Sequence, residues 1–307
     1  MTLHAGALSR AQAPAVEWPT LIMIGGCYAL WAAVGVFLYP LSPVIATLVL
    51  GVLIAFHGSL THEVLHGHPF RSKTLNEAMM FTSLGLLIPY NRFRDLHLAH
   101  HQDQRLTDPF DDPESNYLDP GVWEALPRWK QWVFAINNTL LGRMVLGPII
   151  GQALFMQSEW QAARAGDRAV WLAWALHLPG VAIVLAWIYF ATDMPIWAYF
   201  IAAHIGLGLL KIRTFLEHQA HERARARTVI IEDRGPLAFL FLNNNLHVVH
   251  HMHPRVPWYR LPQLYRDNKS RYLDRNDGYR YASYSEIFRK FLFRAKDPVP
   301  HPLWRRR

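Results

Sequence analysis

Three short segments of the chain carry histidines at spacings that suit metal binding. They read HEVLH at 62–66, HLAHH at 97–101 and HVVHH at 247–251. Residues at positions i, i+3 and i+4 of a helix share one face, with Cβ atoms about 5–6 Å apart. Neutral imidazole is a good ligand for iron, zinc, copper and nickel. Each segment can therefore present two or three imidazoles to one point.

A fourth, weaker group, EHQAHE at residues 217–222, follows the last long apolar run and includes His218. Together with the three segments it supplies nine candidate metal ligands: His62, His66, His97, His100, His101, His218, His247, His250 and His251. A tetrahedral zinc ion takes four ligands at most. Nine imidazoles therefore predict two metal ions.

Four long apolar runs must position these histidines. Each is close to the length of about 20 residues that a helix needs to cross a bilayer. We place the spans at about 19–39, 44–60, 169–190 and 194–212, with short turns inside the first pair and the second pair. Charge-free runs of this length are rare in soluble folds, so buried core helices are the weaker interpretation. The sequence predicts an all-α membrane protein with two transmembrane hairpins, in a single domain over residues 1–307.

The basic residues predict which side of the membrane the histidines face. Arg10 precedes the first run, ten Lys or Arg lie between the second and third runs, and twenty lie from Lys211 onward. By the positive-inside rule, both termini, the middle segment and the tail are cytoplasmic, and a helical cap there carries the histidine segments. The excess of basic residues is explained by their role in membrane orientation and by contact with anionic lipid headgroups. No nucleic-acid partner is therefore expected.

The middle segment contains two further apolar stretches, at residues 75–90 and 129–160. Polar residues such as Asn137 and Arg143 interrupt them. Apolar stretches with such interruptions are typical of helices that lie in the membrane interface. We therefore expect interfacial helices here rather than additional spans.

HEVLH also matches the zinc metalloprotease signature, in which two histidines bind zinc and the glutamate is the general base. A membrane zinc protease is therefore an alternative, although it leaves both HxxHH segments unexplained. If Glu63 is not a base, we expect it to hold the second ring nitrogen of a ligand. A bis-histidine haem protein is another alternative, and its axial ligands would be His177 and His204, inside the third and fourth runs.

Composition excludes several other metal chemistries. Cys27 is the only cysteine, so no disulfide framework exists within the chain. A cysteine-only zinc site and an iron–sulfur cluster both need several thiolates. Imidazole and carboxylate groups are therefore the ligands that this sequence offers.

In this order, the three segments resemble the histidine boxes HxxxH, HxxHH and HxxHH of the membrane fatty acid desaturase family. Similar supporting sequences are DPFDDP at 108–113, TFLEH at 214–218 and PWYRLP at 257–262. The resemblance extends from about residue 57 to residue 264. Carotenoid ketolases and hydroxylases share this scaffold, so the resemblance defines the superfamily better than the substrate.

The resemblance implies that the nine histidines hold two irons, and that Glu63, Glu217 and Asn245 orient them. It implies O2-dependent removal of two hydrogens from a lipid acyl chain, which forms a cis double bond. Ketolation or hydroxylation of a carotenoid, or another hydroxylation, is the alternative on the same scaffold.

The resemblance also leaves some features open. The sequence lacks the His-Pro-Gly-Gly motif of a fused cytochrome b5 domain, which implies a separate electron donor such as a ferredoxin. His57, His68, His221 and His253 have no assigned role. His57 could replace His62 if the second helix continues further than predicted.

Overall fold

A computed structural model describes residues 16–101 and 104–304. Arg10, used above to predict orientation, lies outside the described residues, as do the last three arginines of the tail. The described chain is mostly helical, as predicted. The described residues form two strands of two residues each, β1 (Ile230–Ile231) and β2 (Arg280–Tyr281). The two strands pair in parallel.

Four helices are long and apolar enough to cross a membrane. Helix α1 (Trp18–Ala33) continues through a π-helical turn to Leu38, and α2 spans Pro43–Leu65. The other two are α9 (Arg168–Ala191) and α10 (Ile196–Thr214). Proline in the first turn of α2 suits a helix start because its fixed φ is already helical. Helix α2 runs five residues beyond the predicted end at residue 60 and therefore includes His62.

Helices α2 and α10 make the most extensive contact between two elements of the described chain. Glycines allow their backbones to approach closely. A Cβ at Gly206 would lie 2.9 Å from the carbonyl oxygen of Gly51, and a Cβ at Gly51 would lie 2.9 Å from Ile205 Cβ. Small residues are typical of such interfaces in membranes, where van der Waals packing drives helix association. This packing fixes the end of α2 relative to the end of α10.

The middle segment contains helices between α2 and α9. They are α3 (Lys73–Met79), α4 (Tyr90–His100), α5 (Pro120–Ala125), α6 (Arg128–Asn137), α7 (Leu140–Val145) and α8 (Gly147–Arg164). Trp129, Trp132 and Trp160 on α6 and α8 are all exposed. The stretch 129–160 is therefore helical, as expected, and its exposed tryptophans are of the type that suits the membrane interface.

The helix expected over residues 75–90 ends at Met79. The following loop packs among the spans, where Leu84 is fully buried and Leu86 has a φ of 64°. The Tyr199 hydroxyl donates to the carbonyl of Leu84 at 2.8 Å, and His177 Nε2 donates to that of Leu86 at 2.8 Å. A helix cannot continue through a left-handed residue, and these side chains satisfy the carbonyl groups that it would have used.

The tail after α10 forms short elements around β1 and β2, and we call this segment, residues 215–304, the cap. Its helices are α11 (Pro236–Leu240), α12 (His247–Met252), α13 (Leu261–Asp267), α14 (Lys269–Arg275) and α15 (Tyr284–Phe291). A single 3₁₀ turn, Ala224–Ala226, precedes β1. The amide of Val248 donates to the carbonyl of Val229 at 3.2 Å, which attaches the start of α12 to the segment before β1.

Candidate metal centre

Each histidine segment lies in or directly after a helix. His62 lies in the last turn of α2 and His66 follows that helix as its C-cap. His97 and His100 lie in α4, with His101 as its C-cap. The HVVHH segment forms most of α12. The spacing therefore does place two or three imidazoles of each segment on one helical face, as the sequence predicts.

The structure gathers all nine predicted ligands into two adjoining groups, within each of which one ligand atom per residue lies within 4.8 Å of the others. Cluster A comprises His62, His66, His97, His101 and His250. Cluster B comprises His100, His218, His247 and His251. The rings of His101 and His251 stack with their centroids 4.3 Å apart and join the two clusters.

Both HxxHH segments are divided between the clusters. In the second box, His97 and His101 join cluster A, whereas His100 joins cluster B. In the third box, His250 joins cluster A, whereas His247 and His251 join cluster B. Each of these two helices therefore presents imidazoles to both clusters.

The ring nitrogens of the clusters are arranged as ligands rather than as ordinary hydrogen-bonding groups. The Nε2 atoms of His62, His66 and His250 are buried and have no hydrogen-bond partner among the described residues. Elsewhere two Nε2 atoms face each other, at 2.9 Å for His97 and His101 and at 2.8 Å for His100 and His218. Nitrogens that bind one ion at about 2.1 Å lie about 3 Å apart in neighbouring positions, so the residues present fit metal ions.

Acidic and amide side chains fix the orientation of three of these rings. The Asp112 carboxylate accepts from His100 Nδ1 at 2.7 Å, and the Glu114 carboxylate accepts from His97 Nδ1 at 2.8 Å. His247 Nδ1 lies 3.1 Å from Asn244 Oδ1. Such partners set the tautomer, so that Nε2 is free to bind metal. These partners were not predicted from the sequence, although the acidic residues after the second box, which include Asp112 and Glu114, were a signal for two of them.

Burial keeps several of these imidazoles in the neutral form that binds metal. Desolvation, together with neighbouring histidines, holds the pKa of His218, His247 and His250 well below the usual range. His100 behaves differently. Burial lowers its pKa, but the carboxylates of Glu114 and Asp112 outweigh burial and raise it to about 9.

The residues predicted to orient the ligands occupy three different environments. Glu217 forms an ion pair with Arg213 at 3.0 Å and accepts from Asn244 Nδ2 at 3.1 Å, so it reaches His247 through Asn244. Asn245 Nδ2 donates to the carbonyl of Ile231 at 2.6 Å, which holds the backbone before α12 rather than a ring.

The Glu63 carboxylate lies outside both clusters. It accepts from the backbone amide of Trp258 at 3.0 Å and lies 3.8 Å from His68 Nε2. Glu63 therefore does not contact the second ring nitrogen of a cluster histidine in this arrangement. The hydrogen bond and the ion pair found for Glu63 among the described residues are with Trp258 and His68, and neither of these is a cluster histidine.

The histidines without an assigned role also lie outside the clusters. His57 Nε2 hydrogen-bonds to the Tyr28 hydroxyl at 2.9 Å, so it does not replace His62 although α2 does continue. His221 accepts from the backbone amide of Arg223, and His253 packs edge-on to Tyr272. His177, one of the two histidines considered for haem, is bonded to the Leu86 carbonyl.

A polar cavity of about 40 Å³ adjoins cluster B. Its lining includes Asp112, Glu114, Glu217, His218, Lys296 and Asp297. A cavity of this size and polarity has room for water, since a single water needs only about 10–15 Å³. Of the nine clustered histidines, His218 of cluster B is the one that lines this cavity in the described part of the chain. The histidines of cluster A do not line it.

Comparison with known proteins agrees with this geometry. The sequence matches the family described as fatty acid desaturase over residues 38–283, a range that contains all nine clustered histidines. It is also 25% identical over 277 residues to a beta-carotene ketolase from Paracoccus sp., covering 85% of this chain and 96% of that protein. The four apolar helices and the family support an integral membrane protein and an oxidoreductase. Because the match covers most of the chain and all three histidine boxes, this protein belongs to the fatty acid desaturase family.

Proposed function

We propose that the two clusters bind two iron ions and that the protein is an O2-dependent oxidase of apolar, membrane-dissolved substrates. The observation that carries this proposal is the division of nine buried or half-buried histidines into two adjoining groups. A mononuclear zinc protease would use three protein ligands and would leave the others without a function. Non-haem iron is well suited to imidazole ligands and to O2 chemistry.

When bound, the two irons would supply the redox chemistry that activates O2, which acid–base side chains cannot provide. The chain's own residues perform the supporting tasks. Asp112 and Glu114 hold the rings of His100 and His97 in position. The polar cavity beside His218 can hold water that accepts or supplies protons. Cluster A includes His62 and His66 at the end of α2, and this position suits a substrate that enters from the bilayer.

The substrate that we propose first is the acyl chain of a lipid. Desaturation removes two hydrogens from adjacent CH2 groups and forms a C=C bond. With two electrons and two protons from outside, O2 is reduced to two molecules of water. The electrons would come from a separate carrier such as a ferredoxin, and the termini and cap would lie on the cytoplasmic side, where basic residues are concentrated.

Ketolation of a carotenoid is the second candidate, and the similarity to the beta-carotene ketolase supports it. This reaction converts a ring CH2 group to a C=O group in two oxygenations. Two O2 molecules, four electrons and four protons are consumed, and three molecules of water are released. Both reactions use the same metal centre, so the placement of the substrate must distinguish them.

Product analysis distinguishes the two. The chain is expressed in one bacterial host with its ordinary lipids and in another that accumulates β-carotene, each with a ferredoxin and its reductase. A new unsaturated acyl chain supports desaturation, whereas a keto-carotenoid supports the second candidate. Membranes containing His97→Ala serve as the control. One zinc and no iron in the purified active protein would overturn both.

A further inference from the structure

A third buried group of potential metal ligands lies outside the two clusters. Glu17 immediately precedes α1, Glu63 lies near the end of α2, and His68 lies in the loop after α2. One ligand atom from each lies within 4.8 Å of the other two. None of these residues belongs to the histidine clusters. The group therefore requires its own explanation.

The backbone holds this group in place from two sides. The amide of Glu17 donates to the carbonyl of Pro69 at 3.0 Å, and Val16 and Phe70 form an antiparallel bridge. This pairing places the Glu17 carboxylate beside the His68 ring. The amide of Trp258 fixes Glu63 from the other side at 3.0 Å.

The side chains are buried and only partly satisfied. Exposure is 7% for Glu17, 5% for Glu63 and 4% for His68. His68 Nδ1 lies 2.8 Å from Glu17 Oε2, but His68 Nε2 has no hydrogen-bond partner among the described residues. That nitrogen lies 3.8 Å from Glu63 Oε1, too far for a hydrogen bond and directed into the group.

The charges of this group point to a cation. The buried carboxylates of Glu17 and Glu63 both face the imidazole of His68. In the described chain, the ion pair found for each carboxylate is with His68. A buried carboxylate is costly unless it is paired or coordinates a metal. Even a protonated His68 would balance only one of the two negative charges.

We propose that Glu17, Glu63 and His68 bind a third divalent metal ion, separate from the two ions of the histidine clusters. One imidazole and two carboxylates are a suitable ligand set for zinc, which takes nitrogen and oxygen ligands, whereas calcium and magnesium take oxygen ligands alone. His68 Nε2 supplies the nitrogen and each glutamate one oxygen. The ion joins the start of α1 to the end of α2, and through Glu63 to the Trp258 segment beyond the third box.

The test is metal analysis of the purified full-length protein. Protein loaded with iron is incubated with zinc sulfate, freed of loosely bound metal by gel filtration, and analysed for iron and zinc. We expect one tightly bound zinc per chain in addition to the iron. Glu17→Gln should lose that zinc and keep its iron. Glu286→Gln, at an exposed ion pair on α15, is the matched control and should keep both.

Two results would overturn the proposal. The first is no zinc beyond that in the histidine clusters, and the second is a zinc content that Glu17→Gln leaves unchanged. X-ray absorption of zinc in the wild-type protein gives a test that needs no variant. One imidazole with oxygen ligands supports the third site, whereas a shell of several imidazoles contradicts it. Iron content reports on the histidine clusters separately, so failure of the di-iron proposal would be recognised independently.

Discussion

Clusters A and B differ in the origin of their ligands and in their surroundings. Cluster A takes two of its five histidines from the end of a membrane span, α2. Cluster B takes none from a span and instead uses His218, which lies beyond α10. Cluster B also adjoins the polar cavity, and the two rings fixed by Asp112 and Asn244 belong to it. Cluster A therefore depends in part on the packing of the long helix α2, whereas cluster B depends on segments outside the long helices and on their polar contacts.

The sharpest test of this comparison removes one ligand from each cluster. His97→Ala in cluster A and His100→Ala in cluster B should both reduce product formation by at least about 100-fold, because the proposed reaction needs both ions. Iron content should fall in each variant. His221→Ala, outside both clusters, is the control. If either cluster variant retained normal activity, the two-metal assignment would fail.

The carboxylates that orient the rings should matter less than the ligands. Asp112→Asn and Glu114→Gln should each lower iron affinity or activity by about 10–100-fold. Asp112→Asn should have the larger effect, because Asp112 is buried and also accepts from the amide of Thr107 at 2.8 Å. Iron titration and turnover measure this. The exposed neighbour variant Asp111→Asn should behave as wild type, and an equal loss there would contradict the assigned role.

The metal-free protein should lose stability as the pH falls. The pKa values of His218, His247 and His250 are lowered by burial in the folded protein, so only the unfolded chain binds protons at these sites just below its pKa of about 6.5. Each group then reduces the free energy of unfolding by about 1.4 kcal/mol per pH unit below that value. Thermal unfolding of chelator-treated protein between pH 7 and pH 5 tests this prediction.

His100 in cluster B should show the opposite pH dependence. Its pKa is raised to about 9, so its stabilising contribution is complete below about 6.5 and is lost as the pH rises through 9. His100→Gln should remove that loss at alkaline pH. A metal-free protein whose melting temperature is constant from pH 5 to pH 9 would contradict both assignments.

The smallest effect is expected where cluster A depends on helix packing. Gly206→Ala would place a methyl group 2.7 Å from Ile54 Cγ2 and should destabilise the protein by about 1–3 kcal/mol through overpacking. Gly25→Ala in α1 is the matched control, since nothing lies within 4 Å of its new Cβ. Thermal unfolding in detergent compares the two. Equal melting temperatures would show that α2 and α10 tolerate separation.

Much of the fold and of the candidate site could be predicted from local patterns. The four apolar runs predicted the long helices because apolar length is a local property, and the observed helix ends differ from the predicted ends by a few residues. Residues 80–89 were predicted less well, because their carbonyl groups are satisfied by Tyr199 and His177 from distant helices. No local pattern reveals partners about a hundred residues away in the sequence.

By itself, the sequence determined which histidines could act together within each box, since positions i, i+3 and i+4 share a helical face wherever the helix lies. Only the tertiary structure decided that each HxxHH box serves both clusters, that Asp112 and Glu114 orient the rings, and that Glu63 turns to His68 and Glu17 instead. These contacts join residues from different helices and loops. They depend on how α2, α4, α10 and the cap pack together, and packing is a property of the whole chain rather than of any one segment.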